Sequence, residues 1–196
     1  AGAAHGRGEP MRGDQARGAQ GAATLGRLAA TFLDAPQGAR IAMIETGGWD
    51  THSAQAPRLS AQLRALDTLL AALRDGLGAR WRDTTVLVAT EFGRSAAANG
   101  TGGTDHGTGA AALLAGGAVA GGRVLADWPG LGAAALHEGR DLKPTLRLEA
   151  LLASAAADTF GLDAQQCARS LFALQVPASG LPRVVERRGT AASRGA

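Results

Sequence analysis

The sequence contains no tyrosine, and phenylalanine and tryptophan bring its aromatic share to only 4 %. A core must therefore be built from leucine, valine and alanine, which the 45 % hydrophobic content of the 196 residues can supply. No apolar run reaches the roughly 18 residues of a membrane span, and the N-terminal residues lack the hydrophobic region of a signal peptide. We predict a folded domain with no membrane span and no signal peptide in this chain.

Cysteine and lysine are nearly absent as well. The single cysteine, Cys167, excludes an internal disulfide and a cysteine-rich zinc site, and its apolar neighbours predict a buried structural thiol. Lys143 is the only lysine, so the net charge of +3 and the pI of about 10.3 come from scattered arginines. Because these arginines neither line one face nor alternate with aromatic residues, we predict no nucleic-acid partner.

Hydrophobic periodicity predicts a flexible lead-in at 1–20, a folded region at 21–176 and a flexible tail at 177–196. One helix is predicted from residue 21 to Pro36 and a second from Pro57 to Gly78. Their predicted apolar stripes are Leu25, Leu28, Phe32 and Leu33 in the first helix, and Leu59, Leu63, Leu66, Leu70 and Leu73 in the second.

Strands are predicted where β-prone residues cluster between these helices. "RIAMIE" (40–45) and "TTVLVAT" (84–90) have the pattern of buried strands, and 110–117 and 121–130 of further strands or a hairpin. Helices follow at 142–163, after Pro144, and at 164–174. This alternation predicts an α/β fold with a mostly parallel central sheet flanked by helices.

Acidic and histidine side chains cluster in two glycine-rich loops, each directly after a predicted strand. The first loop carries Asp50 and His52, and the second carries Glu91, Asp105 and His106. Ligands of parallel sheets gather beyond the carboxyl ends of the strands, so these loops are where a site is expected. Carboxylate with imidazole suits zinc, manganese or iron better than calcium.

Residue spacing adds detail to this metal hypothesis. Asp50 and His52 are two positions apart and face the same side of an extended segment, so both fit one ion. Asp105 and His106 diverge, which fits either two ions or one ligand and one residue that orients it. Arg94 is placed to clamp a phosphate or sulfate through its planar guanidinium.

Simpler interpretations stay open at this point. Asp-x-His is also a common turn with a surface histidine, and Glu91 with Arg94 also fits an exposed ion pair. The glycine loop also fits a mobile connector. His5 and His137 have the pattern of solvated residues, and Ser95 lacks the Gly-x-Ser-x-Gly pattern of a serine hydrolase.

Several motifs in order resemble the bacterial domain-of-unknown-function 1501 family. They are "GGWDTH", the leucine-striped helix, "VLVATEFGR", "NGTGGTDHG", "GGRVLADWPGL" and "EGRDLKPT", spread over about residues 22 to 175. The resemblance implies the alkaline phosphatase–sulfatase superfamily, with an α/β sandwich around a central sheet and a two-metal site. It also implies export to the periplasm, often behind a twin-arginine signal.

The resemblance assigns roles to individual residues. Asp50, His52 and His106 resemble ligands of a first metal, with Asp105 beside them. Glu45 fits either an outer ligand or the last residue of its predicted strand. Glu91 stands where relatives carry an Asp-His pair, and Phe92 takes the histidine's place, which implies a weakened second metal.

The resemblance also shows what this chain lacks. The superfamily's nucleophile and a bridging aspartate belong to an N-terminal half, so the chain is expected to be the C-terminal part only of such a domain. Where relatives tend to carry an acid after "KPT", this chain has Leu146 and Arg147.

Two functions follow as hypotheses. The first is a metal-dependent phosphatase- or sulfatase-like hydrolase of unknown substrate, incomplete and inactive alone, in which Arg94 steadies the oxyanion. The second is a non-enzymatic exported scaffold or binding protein of the same fold. Zinc or manganese is the expected metal, and the sequence leaves the oligomeric state open.

Overall fold

The computed structural model describes residues 10–177 and 180–184, and these residues form two compact units. Unit 1 takes the described part of Ala1–Ala79 together with Asn99–Gly103. Unit 2 takes Arg80–Ala98 and the described residues from Thr104 onward. Among the described helices, none is long and apolar enough to cross a bilayer.

Unit 1 is built on two helices, α1 (Pro10–Asp34) and α2 (Gln55–Leu77). Helix α1 begins within the segment predicted as a flexible lead-in. Pro57 lies in the first turn of α2, and the Gly78 N–H caps its end by donating to the Arg74 carbonyl, as the sequence predicted.

The predicted apolar stripe of α1 is wrong. Among the residues of α1 whose burial is described, the buried ones are small, namely Gly26, Ala29 and Ala30, while Leu25, Leu28 and Phe32 are 42–58 % exposed. In α2 the buried leucines are Leu69, Leu73 and Leu77, so only Leu73 of the predicted stripe is fully buried. Gly26 lies against the backbone of α2 at Leu69 and Leu73, and this close approach places the small face of α1 inward.

Unit 2 contains four short strands in two antiparallel pairs. Strand β1 (Val86–Val88) pairs with β4 (Leu113–Ala115), with Leu87 opposite Leu114. Strand β2 (Gly93–Arg94) pairs with β3 (His106–Gly107), with Arg94 opposite His106. Isolated bridges join Asp141 to Ser95 and to His137.

The core of unit 2 lies around helices α3 (Leu148–Phe160) and α4 (Ala164–Phe172). Both helices confirm the predictions for these segments. One buried cluster of the described residues contains small residues from both helices and Leu174 from the chain after α4: Ala150, Ala153, Ala157, Cys167, Ala168 and Leu174. Cys167 is 7 % exposed, which confirms the predicted buried thiol.

The predicted parallel central sheet, and with it the alkaline-phosphatase-like fold, is wrong. The described strands form only two-stranded antiparallel sheets. No helix lies between β1 and β4, and a parallel pair needs a long crossover connection, usually a helix. The segments 40–45 and 121–130 form no strand, and Ile41 and Met43 are 73 % and 92 % exposed.

The predicted domain boundaries fall only partly within the described residues. Residues 1–9 of the predicted lead-in lie outside them, as do 178–179 and 185–196 of the predicted tail.

Candidate functional site

The Asp50 and His52 side chains contact each other in unit 1. His52 Nε2 lies 3.0 Å from Asp50 Oδ1, a distance at which the imidazole N–H donates to the carboxylate. Both side chains are exposed, at 61 % for Asp50 and 45 % for His52. Nearby, the Trp49 indole N–H donates to Thr46 Oγ1 at 3.0 Å within the same loop. The two residues therefore meet at the surface, on the same side of the loop, as their spacing predicted.

The backbone of His52 is held by the loop Asn99–Gly103, which belongs to the same unit. The His52 carbonyl accepts hydrogen bonds from Asn99 Nδ2 at 2.9 Å and from Thr101 Oγ1 at 2.7 Å. Two backbone bonds follow, from Ala54 N–H to the Thr101 carbonyl and from Gln55 N–H to the Gly102 carbonyl. Four hydrogen bonds thus fix the path of the chain from His52 into α2.

The loop Asn99–Gly103 is itself fixed by the Asn99 side chain. Asn99 Oδ1 accepts from the backbone N–H groups of Thr101 and Gly103, each at 3.0 Å. A Cβ on Gly103 would lie 2.2 Å from the carbonyl carbon and oxygen of His52, so only glycine fits this contact. This loop lies within the quoted motif "NGTGGTDHG", which also fitted a mobile connector. Its hydrogen bonds to the His52 carbonyl were not predicted.

Buried Thr51 completes this arrangement. Its hydroxyl donates to Gln55 Oε1 at 2.9 Å, and the residue is only 3 % exposed. Asp50 and His52 therefore flank a buried residue. An anchor of this kind limits the motion of both ligand candidates.

The remaining predicted site residues, Glu91, Arg94, Asp105 and His106, lie in unit 2. Arg94 and His106 are directly opposite each other in the β2–β3 ladder, so their side chains leave the same face. The Phe92 ring packs on the His106 imidazole with a centroid distance of 4.3 Å. The backbones of Ser95 and Asp105 are joined by a hydrogen bond of 2.9 Å.

The prediction that each of these two loops directly follows a strand is wrong. Glu91 is exposed and follows β1, which ends at Val88, by three residues. The loop with Asp50 and His52 follows no strand, because residues 40–45 form none. Glu45, the predicted outer ligand, is exposed in that segment.

Asp141 is a buried acid that the sequence did not single out. Its side chain is 7 % exposed and forms an ion pair with Arg140 Nε at 3.0 Å. Asp141 Oδ2 accepts from Thr108 Oγ1 at 3.0 Å, and Arg140 also donates to the His106 carbonyl at 3.1 Å. The only sequence signal for Asp141 was its place in the quoted motif "EGRDLKPT". In the structure, Arg140 donates to His106 in β3, and Asp141 accepts from Thr108 directly after β3.

The donor atoms of Asp50 and His52 lie close enough together to bind one divalent metal ion, which would replace the proton between them, because an imidazole nitrogen binds a metal only when unprotonated. Two ligand atoms on one zinc ion lie about 3.0–3.4 Å apart, given bonds of about 2.0–2.2 Å and angles between the octahedral and tetrahedral values. The separation of 3.0 Å between Nε2 and Oδ1 is at the lower end of this range. A carboxylate oxygen with an imidazole nitrogen is a donor set typical of zinc and manganese sites.

The fold and the loop thus define a mixed helical and β protein with an anchored Asp–His pair on its surface. The chain belongs to the family described as "Protein of unknown function (DUF1501)", whose match covers residues 5–171. This confirms the family resemblance found in the sequence motifs. Neither a curated protein nor a solved structure was found that matches the chain.

Proposed function

We propose that this chain binds a divalent metal ion, zinc or manganese, through Asp50 Oδ1 and His52 Nε2. The observation that carries the proposal is the 3.0 Å separation of these two atoms. The hydrogen bonds from Asn99 and Thr101 support it, because they fix the backbone of His52 before any ion binds.

The reaction class we propose is hydrolysis of a phosphoric or sulfuric ester. A bound divalent ion would supply Lewis-acid polarisation of the ester oxygen. Asp50 would balance the ion's charge and His52 would orient it. This class comes from the resemblance of the loop motifs to the alkaline phosphatase–sulfatase superfamily, and the fold gives it no support.

The same resemblance supports two further parts of the proposal. We propose that the nucleophile comes from a preceding part of a longer protein, so that this chain alone does not turn over substrate. We also propose that the protein is exported.

Metal content measured by plasma mass spectrometry tests the binding proposal. Wild type is dialysed against traces of zinc or manganese beside Asp50→Ala/His52→Ala and a matched control, Asp127→Ala/His137→Ala, which also removes one aspartate and one histidine. We expect at least about one ion per chain in wild type and in the control, and a loss of roughly tenfold or more in affinity in the first variant. Circular dichroism verifies that each variant is folded.

Two outcomes would contradict the proposal: no bound ion in folded wild type, or equal metal content in both double variants. Single substitutions Glu91→Ala, Asp105→Ala and His106→Ala test separately whether the ligands predicted in unit 2 take part. Hydrolysis of aryl phosphate and aryl sulfate by a longer form of the protein, with and without Asp50→Ala/His52→Ala, tests the reaction class.

A further inference from the structure

Asn99 is the single asparagine of the sequence, and Gly100 follows it. An asparagine loses its side-chain amide most readily when glycine follows, because glycine has no Cβ to hinder its backbone nitrogen as that nitrogen approaches the amide carbon. Gly100 is exposed, and a Cβ placed on it would have no atom within 4 Å. This labile pair lies at the start of the loop Asn99–Gly103, which holds the backbone of His52.

Deamidation at this pair needs only water. The backbone nitrogen of Gly100 attacks Cγ of Asn99, so that a new C–N bond forms while the bond from Cγ to Nδ2 breaks. Nδ2 leaves as ammonia with the proton of the Gly100 N–H, and a cyclic imide remains. Water then adds to either carbonyl of the imide, which opens to aspartate or isoaspartate. No electron transfer takes part, and the loss of ammonia makes the change irreversible.

In the closed loop, the side-chain amide of Asn99 is hydrogen-bonded at both ends. Nδ2 donates to the His52 carbonyl at 2.9 Å, and Oδ1 accepts from the backbone N–H groups of Thr101 and Gly103 at 3.0 Å each. The attack turns Cγ towards the Gly100 nitrogen and removes Nδ2, so it cannot proceed while these bonds persist. The closed loop therefore protects the amide, and the opened loop exposes it.

We infer that Asn99 is a deamidation site controlled by the loop Asn99–Gly103: the amide reacts only when the loop opens, and the product prevents the loop from closing on His52 again. An aspartate at this position is ionised at neutral pH and accepts hydrogen bonds but donates none. One of its oxygens would lie where Nδ2 now donates, 2.9 Å from the His52 carbonyl oxygen, and two acceptors at this distance repel each other. Isoaspartate also carries a carboxylate, and it adds a carbon atom to the backbone. The inference is independent of the proposed metal site.

Peptide mapping follows this reaction at a single residue. Trypsin cleaves after Arg94 and Arg123, and the peptide 95–123 contains Asn99 as its only side-chain amide. Mass spectrometry of this peptide measures the rate at which the amide becomes an acid. Wild type is incubated at mildly alkaline pH in buffer, where it is folded, and in guanidinium chloride, where it is unfolded. Gly100→Ala is the matched control for the attack, because Gly100 has no positive φ and has space for a Cβ.

We expect folded wild type to deamidate at least about tenfold more slowly than the unfolded chain, because the rate follows the population of the opened loop. Gly103→Ala, which forces the loop away from His52, should raise the rate in the folded state. Gly100→Ala should lower the rate in the unfolded chain, because its methyl group hinders the attacking nitrogen. Equal rates in folded and unfolded wild type would overturn the control by the loop. An unchanged rate in unfolded Gly100→Ala would overturn the route through the Gly100 nitrogen.

Amide exchange tests the effect of the product on the loop. The N–H groups of Ala54 and Gln55 donate to backbone carbonyls of the loop Asn99–Gly103, so their exchange reports whether the loop is closed. In Asn99→Asp we expect both amides to exchange roughly tenfold faster than in wild type, as measured by NMR, because the product repels the His52 carbonyl.

Gln20→Glu, at an exposed position of α1, is the control in which an amide becomes an acid elsewhere in unit 1. It should leave the exchange of Ala54 and Gln55 as in wild type. Unchanged exchange of these two amides in folded Asn99→Asp would overturn the inference that the product releases His52.

Discussion

At the scale of the residue, the backbone of Gly103 lies in close contact with the backbone of His52 at the candidate site. A Cβ at Gly103 would lie 2.2 Å from the His52 carbonyl carbon and oxygen and 2.4 Å from the Thr51 carbonyl oxygen. All three are backbone atoms, so a rotamer change cannot relieve the clash. The neighbouring Gly100 has no atom within 4 Å of such a Cβ.

We therefore expect Gly103→Ala to lower the free energy of unfolding by about 1–3 kcal/mol, because the backbone at His52 must shift. Gly100→Ala should stay within about 0.5 kcal/mol of wild type. Urea unfolding followed by circular dichroism measures both values. Equal stability of the two variants would show that the loop Asn99–Gly103 is not tightly packed against His52.

The candidate site shows how far residue patterns alone can go. The spacing of Asp50 and His52 was enough to predict that their side chains face the same side. The hydrogen bonds from Asn99 and Thr101 to the His52 carbonyl were not predictable, since those residues lie 47 and 49 positions from His52 in sequence. Side chains that hold a backbone carbonyl leave no periodic signal, so only the fold shows this part of the site.

At the scale of the element, α1 packs on α2 through its small residues. A Cβ on Gly26 would lie 2.4 Å from the Leu69 carbonyl oxygen of α2. Gly21, one turn earlier in α1, has no atom within 4 Å of such a Cβ. A substitution at Gly21 therefore tests helix propensity alone, while a substitution at Gly26 also tests the packing of α1 on α2.

We expect Gly26→Ala to destabilise the protein by about 1–3 kcal/mol, since the helices must move apart. Gly21→Ala should stabilise it by about 0.5–1 kcal/mol, because alanine is the better helix former. Thermal unfolding of the two variants beside wild type measures the opposite signs. A stabilising Gly26→Ala would mean that the helices do not approach closely at this position.

The elements also show why the predicted parallel sheet was wrong. Periodicity identified Leu25, Leu28 and Phe32 as the apolar stripe of α1. The two helices instead approach each other where the small residues of α1 contact α2. Residues 40–45 are β-prone in composition, but they form no strand, because a strand exists only when a second strand pairs with it. Propensity and pattern describe one segment at a time, whereas a sheet is a property of several.

At the scale of the whole molecule, local stability should be uneven along the chain. Helix α3 contributes Ala150, Ala153 and Ala157, each no more than 1 % exposed, to the core of unit 2. Residues 41–45 have no comparable burial, because Ile41 and Met43 are mostly in solvent. Amides of a buried helix exchange with solvent only through large openings, while amides in an exposed segment without backbone pairing exchange freely.

Hydrogen exchange of the protein should therefore be slowest in α3 and fast across residues 41–45. Mass spectrometry of peptides covering both segments measures this difference. Equally fast exchange in the two segments would contradict the core described for unit 2, because amides of a packed helix cannot exchange without a large opening.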